Sequence, residues 1–413
     1  MNPCLGIDLN DKYVQISYMD STMEEPSTLS PSPDSKVYLI PYDIARTADG
    51  RWVIGYEASR MIKEDSESLS FKDNDIYASA LRGEKLTLEG VATDARIPFS
   101  IFLQNLCTLG RVTYGIDKVS RIVITVPVVS REVLFLFNSI EKDLPAGEVM
   151  LRDHKESFAC FALSQPVNIW RNGVVLFDFD GVDMSVLYLQ RNERVRPVVA
   201  VVKEDRIPGF GKKLFSKKPE TLDRDFNEAA RGVFEKFGAG AVYLVGEGFD
   251  GDWMNESIKT LCEGRRVFKG QNLYTKGACI CSSYLDGREK DFVYLGDSKT
   301  GANLCMNVTD RGNPRSFVLL SAGENWYEAE GSAEVILEEG NTLDFMLISP
   351  DGKDTRREKI ELDGLPVRPP RTGRVSIDAR ALSERRFTLS IKDLGFGEFY
   401  PTSGMEWDFE ITL

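Results

Sequence analysis

The chain has a single histidine, His154, in 413 residues. Zinc centres and serine or cysteine triads use histidine as ligand or base, so this scarcity removes most such chemistry. His154 itself reads as a structural residue where a loop enters a helix. Cysteine is sparse too: Cys4, Cys107, Cys160, Cys262, Cys279, Cys281 and Cys305 make an odd number, with no C-x-x-C pair. That scatter is typical of reduced thiols in a cytoplasm. Cys279 and Cys281 fall in an apolar helical stretch, where core filling is the expected role. No apolar run reaches the length of about 18 residues that would suggest a membrane span. The opening MNPCLGIDLND meets Asp8 at once, without the apolar core of a signal peptide. Basic residues are outnumbered, with 51 Lys and Arg against 64 Asp and Glu and a net charge of −13. Such a surface repels phosphate backbones. The expectation is a cytoplasmic protein that engages neither nucleic acid nor membrane.

What is present is enough for two or three domains, since 42% of the residues are hydrophobic. LGIDL, the turn Asn10-Asp11-Lys12 and YVQISY form a hairpin signal. Further strands are expected at 37–42 and 52–56, and then a helix carrying Phe99, Phe102, Leu103 and Leu106 at helical spacing. The β-branched run RIVITVP reads as a buried strand. A helix capped by Ser130 follows, with Leu134, Phe137 and Ile140 on one face, then a strand at 148–152 and a helix near 155–164. The segment 174–189 repeats the opening pattern. Asp8 aligns with Asp178, Ile16 with Val186 and Tyr18 with Tyr188, at a constant offset of 170 residues. Each copy is an apolar strand ending in Asp, a tight polar turn and an apolar return strand, which suggests a duplicated two-lobe α/β architecture. A strand near 197–203, a helix at 223–237, a strand at 241–246 and helices near 251–264 and 272–284 complete the second lobe. The lysine doublets 212–213 and 217–218 between them read as a solvated loop. From about residue 290 the chain becomes strand after strand, the pattern of a separate β-sandwich.

A turn that follows a strand-ending Asp can present backbone N–H groups as an anion nest. Two such hairpins can clamp a polyphosphate, with the two carboxylates holding a hydrated Mg²⁺. The order of motifs resembles the actin and DnaK-type heat-shock chaperone ATPases. LGIDLNDK is similar to the first phosphate loop, and RIVITVP to the chaperone V-I-T-V-P. DHKESFACFAL falls where the connecting helix stands, VVLFDFDG resembles the second phosphate loop, and YLVGEGF with NLYTKGACICSS resembles the adenosine motif. FVYL resembles the interdomain linker, and IELDGLPVRPPRTGRVSIDARALSERRFTLSIKD the peptide-binding domain. The resemblance implies an actin-like first lobe at 1–170, a second at 171–288, a linker at 289–298 and a β-sandwich at 299–413. Only 63 residues separate Asp183 from Gly246, so the upper subdomain of the second lobe is expected to be reduced or absent. A helical lid is expected to be absent as well.

The resemblance further implies a nucleotide site, real or vestigial, at Asp8, Asn10, Asp11, Lys12, Asp178, Asp180, Gly181, Asp183, Gly246, Glu247 and Gly248. ATP and Mg²⁺ are its implied cofactors, with Asp8 and Asp178 the implied Mg²⁺ residues and Asp8 the one that would serve catalysis. The sequence departs from the family in both loops. Asn10, Asp11 and Lys12 replace small Gly and Thr residues, and Asp180, Val182 and Asp183 intrude in the second. Carboxylates beside a polyphosphate repel it unless a metal or Lys12 offsets them. At the connecting helix the family's Glu falls on Lys155 or, with a one-residue slip, Glu156. The reading that follows is a DnaK-like binding or scaffold module for a protein or extended peptide, with hydrolysis lost. An active chaperone-like ATPase and an actin-like filament protein are the alternatives.

Overall fold

The computed structural model describes residues 2–31, 37–115, 119–196, 198–207, 210, 218–285, 292–352 and 354–413. The lysine doublets, except Lys218, and positions 289–291 of the expected linker lie outside the described residues. The chain divides into two compact units, Met1–Leu189 with Lys203–Glu289, and Gln190–Val202 with Lys290–Leu413.

The first unit opens with the antiparallel hairpin β1 (Cys4–Leu9) and β2 (Val14–Met19), joined at its edge by β3 (Ser27–Thr28). Every residue of β1 and β2 is buried, the polar Asp8, Gln15 and Ser17 included. The segment at 37–42 is not the expected strand; Ile40 makes a lone bridge to Val14. Next come β4 (Ile44–Thr47), β5 (Trp52–Ile54), α1 (Gly55–Glu64), β6 (Leu69–Asp73), α2 (Ile76–Leu81) and the small hairpin β7 (Lys85–Leu88) with β8 (Val91–Asp94). The helix α3 (Arg96–Tyr114) buries Phe99, Phe102, Leu103 and Leu106. Then follow β9 (Val119–Val126), α4 (Arg131–Ile140), β10 (Ala146–Asp153), α5 (His154–Ser164) and α6 (Val167–Trp170). Ser130 caps α4 by accepting from the Val133 amide at 3.2 Å, which satisfies one of the donors left open at a helix start. The main sheet runs β10-β9-β1-β2-β3, with β9 and β10 parallel.

The second half repeats this order. It comprises β11 (Val174–Phe179), β12 (Met184–Asn192), β13 (Val198–Arg206), α7 (Pro219–Lys236), β14 (Ala241–Val245), α8 (Ser257–Leu261), β15 (Arg266–Lys269) and α9 (Leu273–Leu285). Its strands run β15-β14-β11-β12-β13. The repeat holds at the level of register. Cys4 faces Met19 and Asp8 faces Gln15, while Val174 faces Leu189 and Asp178 faces Ser185. Each member of these pairs is shifted by 170 residues. The long helix expected at 251–264 is instead the five-residue α8 followed by the strand β15. Asp223 of α7 explains part of the difference: its carboxylate accepts from the amides of Asn255, Glu256 and Ser257 and holds them in a turn.

In the second unit β16 (Phe292–Leu295) pairs in parallel with Val198–Val201. FVYL, within the expected linker, is thus a β-strand of this unit. The remainder forms two four-stranded antiparallel sheets. One is β18 (Asn313–Leu320), β17 (Asn303–Asp310), β20 (Thr342–Ile348) and β21 (Thr355–Glu361). The other is β19 (Glu330–Leu337), β22 (Gly373–Ala381), β23 (Arg386–Asp393) and β24 (Glu406–Thr412). Leu304, Phe345 and Leu347 from the first meet Val375, Ile377, Phe387 and Leu389 from the second in one core. The alternating burial along β22 and β23 is the period-2 pattern of strands with one face in that core.

Candidate functional site

Within the first unit, the β1–β2 and β11–β12 turns open onto one cleft. Asp8, Asn10, Asp11, Lys12, Asp178, Asp180, Gly246 and Glu247 line it, together with Tyr13, His154, Gln271 and Tyr274. Its volume is about 170 Å³, below the ~300–1,000 Å³ of ordinary small-ligand pockets.

Each turn satisfies two of its own amides. In the first, Asn10 Oδ1 accepts from the amides of Lys12 at 2.9 Å and Tyr13 at 3.0 Å. In the second, Asp180 Oδ1 accepts from the amides of Val182 and Asp183, each at 2.7 Å. Asn10 and Asp180 are equivalent under the 170-residue repeat. These are Asx turns, in which a side chain takes the place of an external acceptor. Lys12 joins the two turns: its Nζ donates to the Asp180 carbonyl at 3.0 Å and lies 3.5 Å from Asp180 Oδ2. Burial alone would raise the Asp180 pKa, but the two turn amides and Lys12 outweigh it and hold the carboxyl below its ordinary value.

Deeper in, each strand-ending aspartate meets a ring. His154 Nε2 lies 2.6 Å from Asp8 Oδ1, and the Tyr274 hydroxyl donates to Asp178 Oδ2 at 2.6 Å. The two rings stack, with centroids 3.9 Å apart and planes 11° apart. Burial raises the Asp178 pKa, against the opposing pull of the Tyr274 hydrogen bond. The Tyr274 hydroxyl is pushed well above its ordinary value by burial and by Asp178. Tyr13 is raised in the same direction by burial and by Asp8.

Two helices set these rings in place. Asp153 caps α5 by accepting from the Glu156 amide at 2.7 Å, which fixes His154 as the first helical residue. α9 lies on β1, where the Thr275 hydroxyl donates to the Gly6 carbonyl at 2.8 Å. Residues 155 and 156 do not line the cleft: Lys155 pairs with Glu204 and Glu156 with Arg152. Asp183, Gly181 and Gly248 also contribute no lining side chain. Gly246 has a φ of 101° and no room for a Cβ, which would sit 2.2 Å from the Phe179 carbonyl oxygen. Its glycine is required by strand-end packing as much as by any ligand. His154 and Tyr274 were not expected in the site. A lone histidine beside a capping Asp gives no long-range signal, and Tyr274 sits in a stretch that reads as core.

The architecture is thus a duplicated α/β unit with a cleft between its two hairpin turns, and a two-sheet β unit. The chain belongs to the family of unknown function DUF5716, whose C-terminal region it matches over residues 25–297. A domain of unknown function, DUF8552, matches residues 299–413. No curated protein matches the chain.

Proposed function

We propose that this protein is a DnaK-like binding or scaffold module whose actin-like nucleotide cleft no longer hydrolyses ATP. One observation carries the reading: Asn10 and Asp180 accept the turn amides that would otherwise hold phosphate oxygens. A triphosphate would have to displace both side chains, and it would then face Asp8, Asp11, Asp178, Asp180 and Glu247, with Lys12 the only Lys or Arg among the described lining residues. Like charges this close in a partly buried site cost several kcal/mol at an effective dielectric of about 20. Mg²⁺ fares no better, since one oxygen of Asp8 and one of Asp178 are taken by ring hydrogen bonds. ATP and Mg²⁺ therefore do not fit the residues as they stand.

The duplicated strand register supports the actin-like reading of the α/β unit, and the two-sheet unit supports a role in holding a protein or extended peptide. Extended peptides bind through main-chain hydrogen bonds, with alternate side chains entering pockets. In a Mg²⁺-ATP turnover assay of the full chain, phosphate release should match a control without protein. Release above that control that disappears in both Asp8→Asn and Asp178→Asn would overturn the proposal and establish a working ATPase.

A further inference from the structure

The helices α5 and α9 cross behind the cleft at a contact too close for a side chain. A Cβ on Gly277 would lie 2.1 Å from the Ser157 carbonyl oxygen. About one turn beyond this crossing, α5 carries Cys160 and α9 carries Cys281. Their sulfurs are 2.7 Å apart, not far from the roughly 2.05 Å of a disulfide bond. Cys4, Met19, Val123 and Met150 pack around them in an apolar cluster.

We propose that Cys160 and Cys281 are a redox-modification site, forming an intrachain disulfide that fastens α5 to α9. Both are free thiols in the reduced chain. Both are buried, but Cys281 at 8% exposure is less covered than Cys160 at 1%, so Cys281 is the one that a disulfide such as oxidised glutathione meets first when the packing opens. The Cys281 thiolate attacks one sulfur of the reagent and expels one glutathione thiolate. The Cys160 thiolate then attacks the Cys281 sulfur of the mixed disulfide and expels the second. Two electrons pass from the cysteines to the reagent, and the two protons shed by the cysteines end on the two released thiols. Burial, which raises the Cys281 pKa, keeps its thiolate fraction small, so exchange on the folded chain is slow. α5 starts at His154 and α9 bears Tyr274 in its first turn, so the bond fixes the helices that carry the stacked rings. The cross-link requires only the packing of α5 on α9, whatever the cleft holds.

The test uses the full chain in two ways: incubated folded with oxidised glutathione, and refolded from denaturant in a glutathione redox buffer, where access to the core is not limiting. Remaining thiols are alkylated in denaturant, and the digest is mapped by mass spectrometry without reduction. The expected product is a peptide pair joined through Cys160 and Cys281 and separated by reductant. The melting temperature of the oxidised chain should also rise, and the rise should be absent in Cys160→Ser and Cys281→Ser. Full alkylation of both cysteines after refolding, glutathione retained on Cys281, or a bond from either cysteine to a different partner such as Cys4 or Cys279 would overturn the assignment. The mapping is read on the natural sequence, so it stands even if a serine variant folds poorly.

Discussion

His154 and Tyr274 lie face to face, their ring centroids 3.9 Å apart, and each ring reaches a different strand-ending aspartate. His154 meets Asp8, and Tyr274 meets Asp178. The two carboxylates placed equivalently by the 170-residue repeat thus each share one oxygen with a ring of a stacked pair from α5 and α9. The cleft floor is a packed hydrogen-bonded layer, and its stability is open to measurement.

Removing the Tyr274 hydroxyl should destabilise the α/β unit. In Tyr274→Phe the ring still stacks, but Asp178 Oδ2 loses its donor in a half-buried site at the cleft. An unsatisfied buried acceptor costs about 1–3 kcal/mol. Urea denaturation of the full chain should show the transition of this unit at lower denaturant. An unchanged midpoint would show that water replaces the hydroxyl.

Asp178→Asn should behave differently. Burial raises the Asp178 pKa above the ordinary carboxylate value, so the folded state binds this proton more tightly than the unfolded state. The associated stability is present below the unfolded pKa and is lost as pH rises through the folded one. Asparagine keeps an acceptor oxygen for Tyr274 and never ionises. Above that window the variant should be at least as stable as the natural chain, and its advantage should shrink as pH falls towards about 4. Thermal melts across this range check the sign; a variant that loses ground as pH rises would contradict it.

Gly277→Ala tests the helix crossing. The added methyl meets backbone, the Ser157 carbonyl, which cannot rotate away as a side chain can. Forced overpacking of this kind costs about 1–3 kcal/mol and sometimes more. Equilibrium unfolding should register this loss, whereas an unaltered transition would mean that α5 and α9 separate freely.

In the β unit, Arg368 grips Asp393 with two hydrogen bonds of 2.7 Å, and Asp393 also accepts from the amides of Gly395 and Ser403. Arg368 chiefly, against burial and with help from Ser403 and Gly395, holds the Asp393 pKa far below its ordinary value. The resulting stability is present above the unfolded pKa and is lost as pH falls through the folded one. Asp393→Asn leaves a buried guanidinium without its counter-charge, at a cost of about 3–5 kcal/mol. A urea titration at neutral pH should show it, and a shift below 1 kcal/mol would place the pair among solvent-screened surface contacts.

Where the sequence is periodic, the fold can be read from it. α3, α4, β9 and β11 follow from apolar spacing, the strand-after-strand pattern beyond residue 290 becomes the two sheets of the β unit, and the 170-residue offset reappears as strand register. The exceptions have physical causes. β21 is TRREKIE, an exposed edge strand with little apolar signal. β15 is four largely exposed residues held beside β14 by backbone pairing. In the site, the turn residues Asn10, Lys12 and Asp180 were legible because a hairpin turn is local. His154 and Tyr274 were not, because their meeting depends on two helices 120 residues apart.

The central claim is that the turn amides are satisfied from within, and calorimetric titration of the full chain with Mg²⁺-ATP tests it most directly. The account predicts no saturable heat up to a ligand concentration of about 1 mM, equivalent to binding weaker than about −4.1 kcal/mol. Saturable one-to-one binding in the micromolar range, weakened by Lys12→Ala, would contradict it, because the Asx turns would then have to open to admit phosphate.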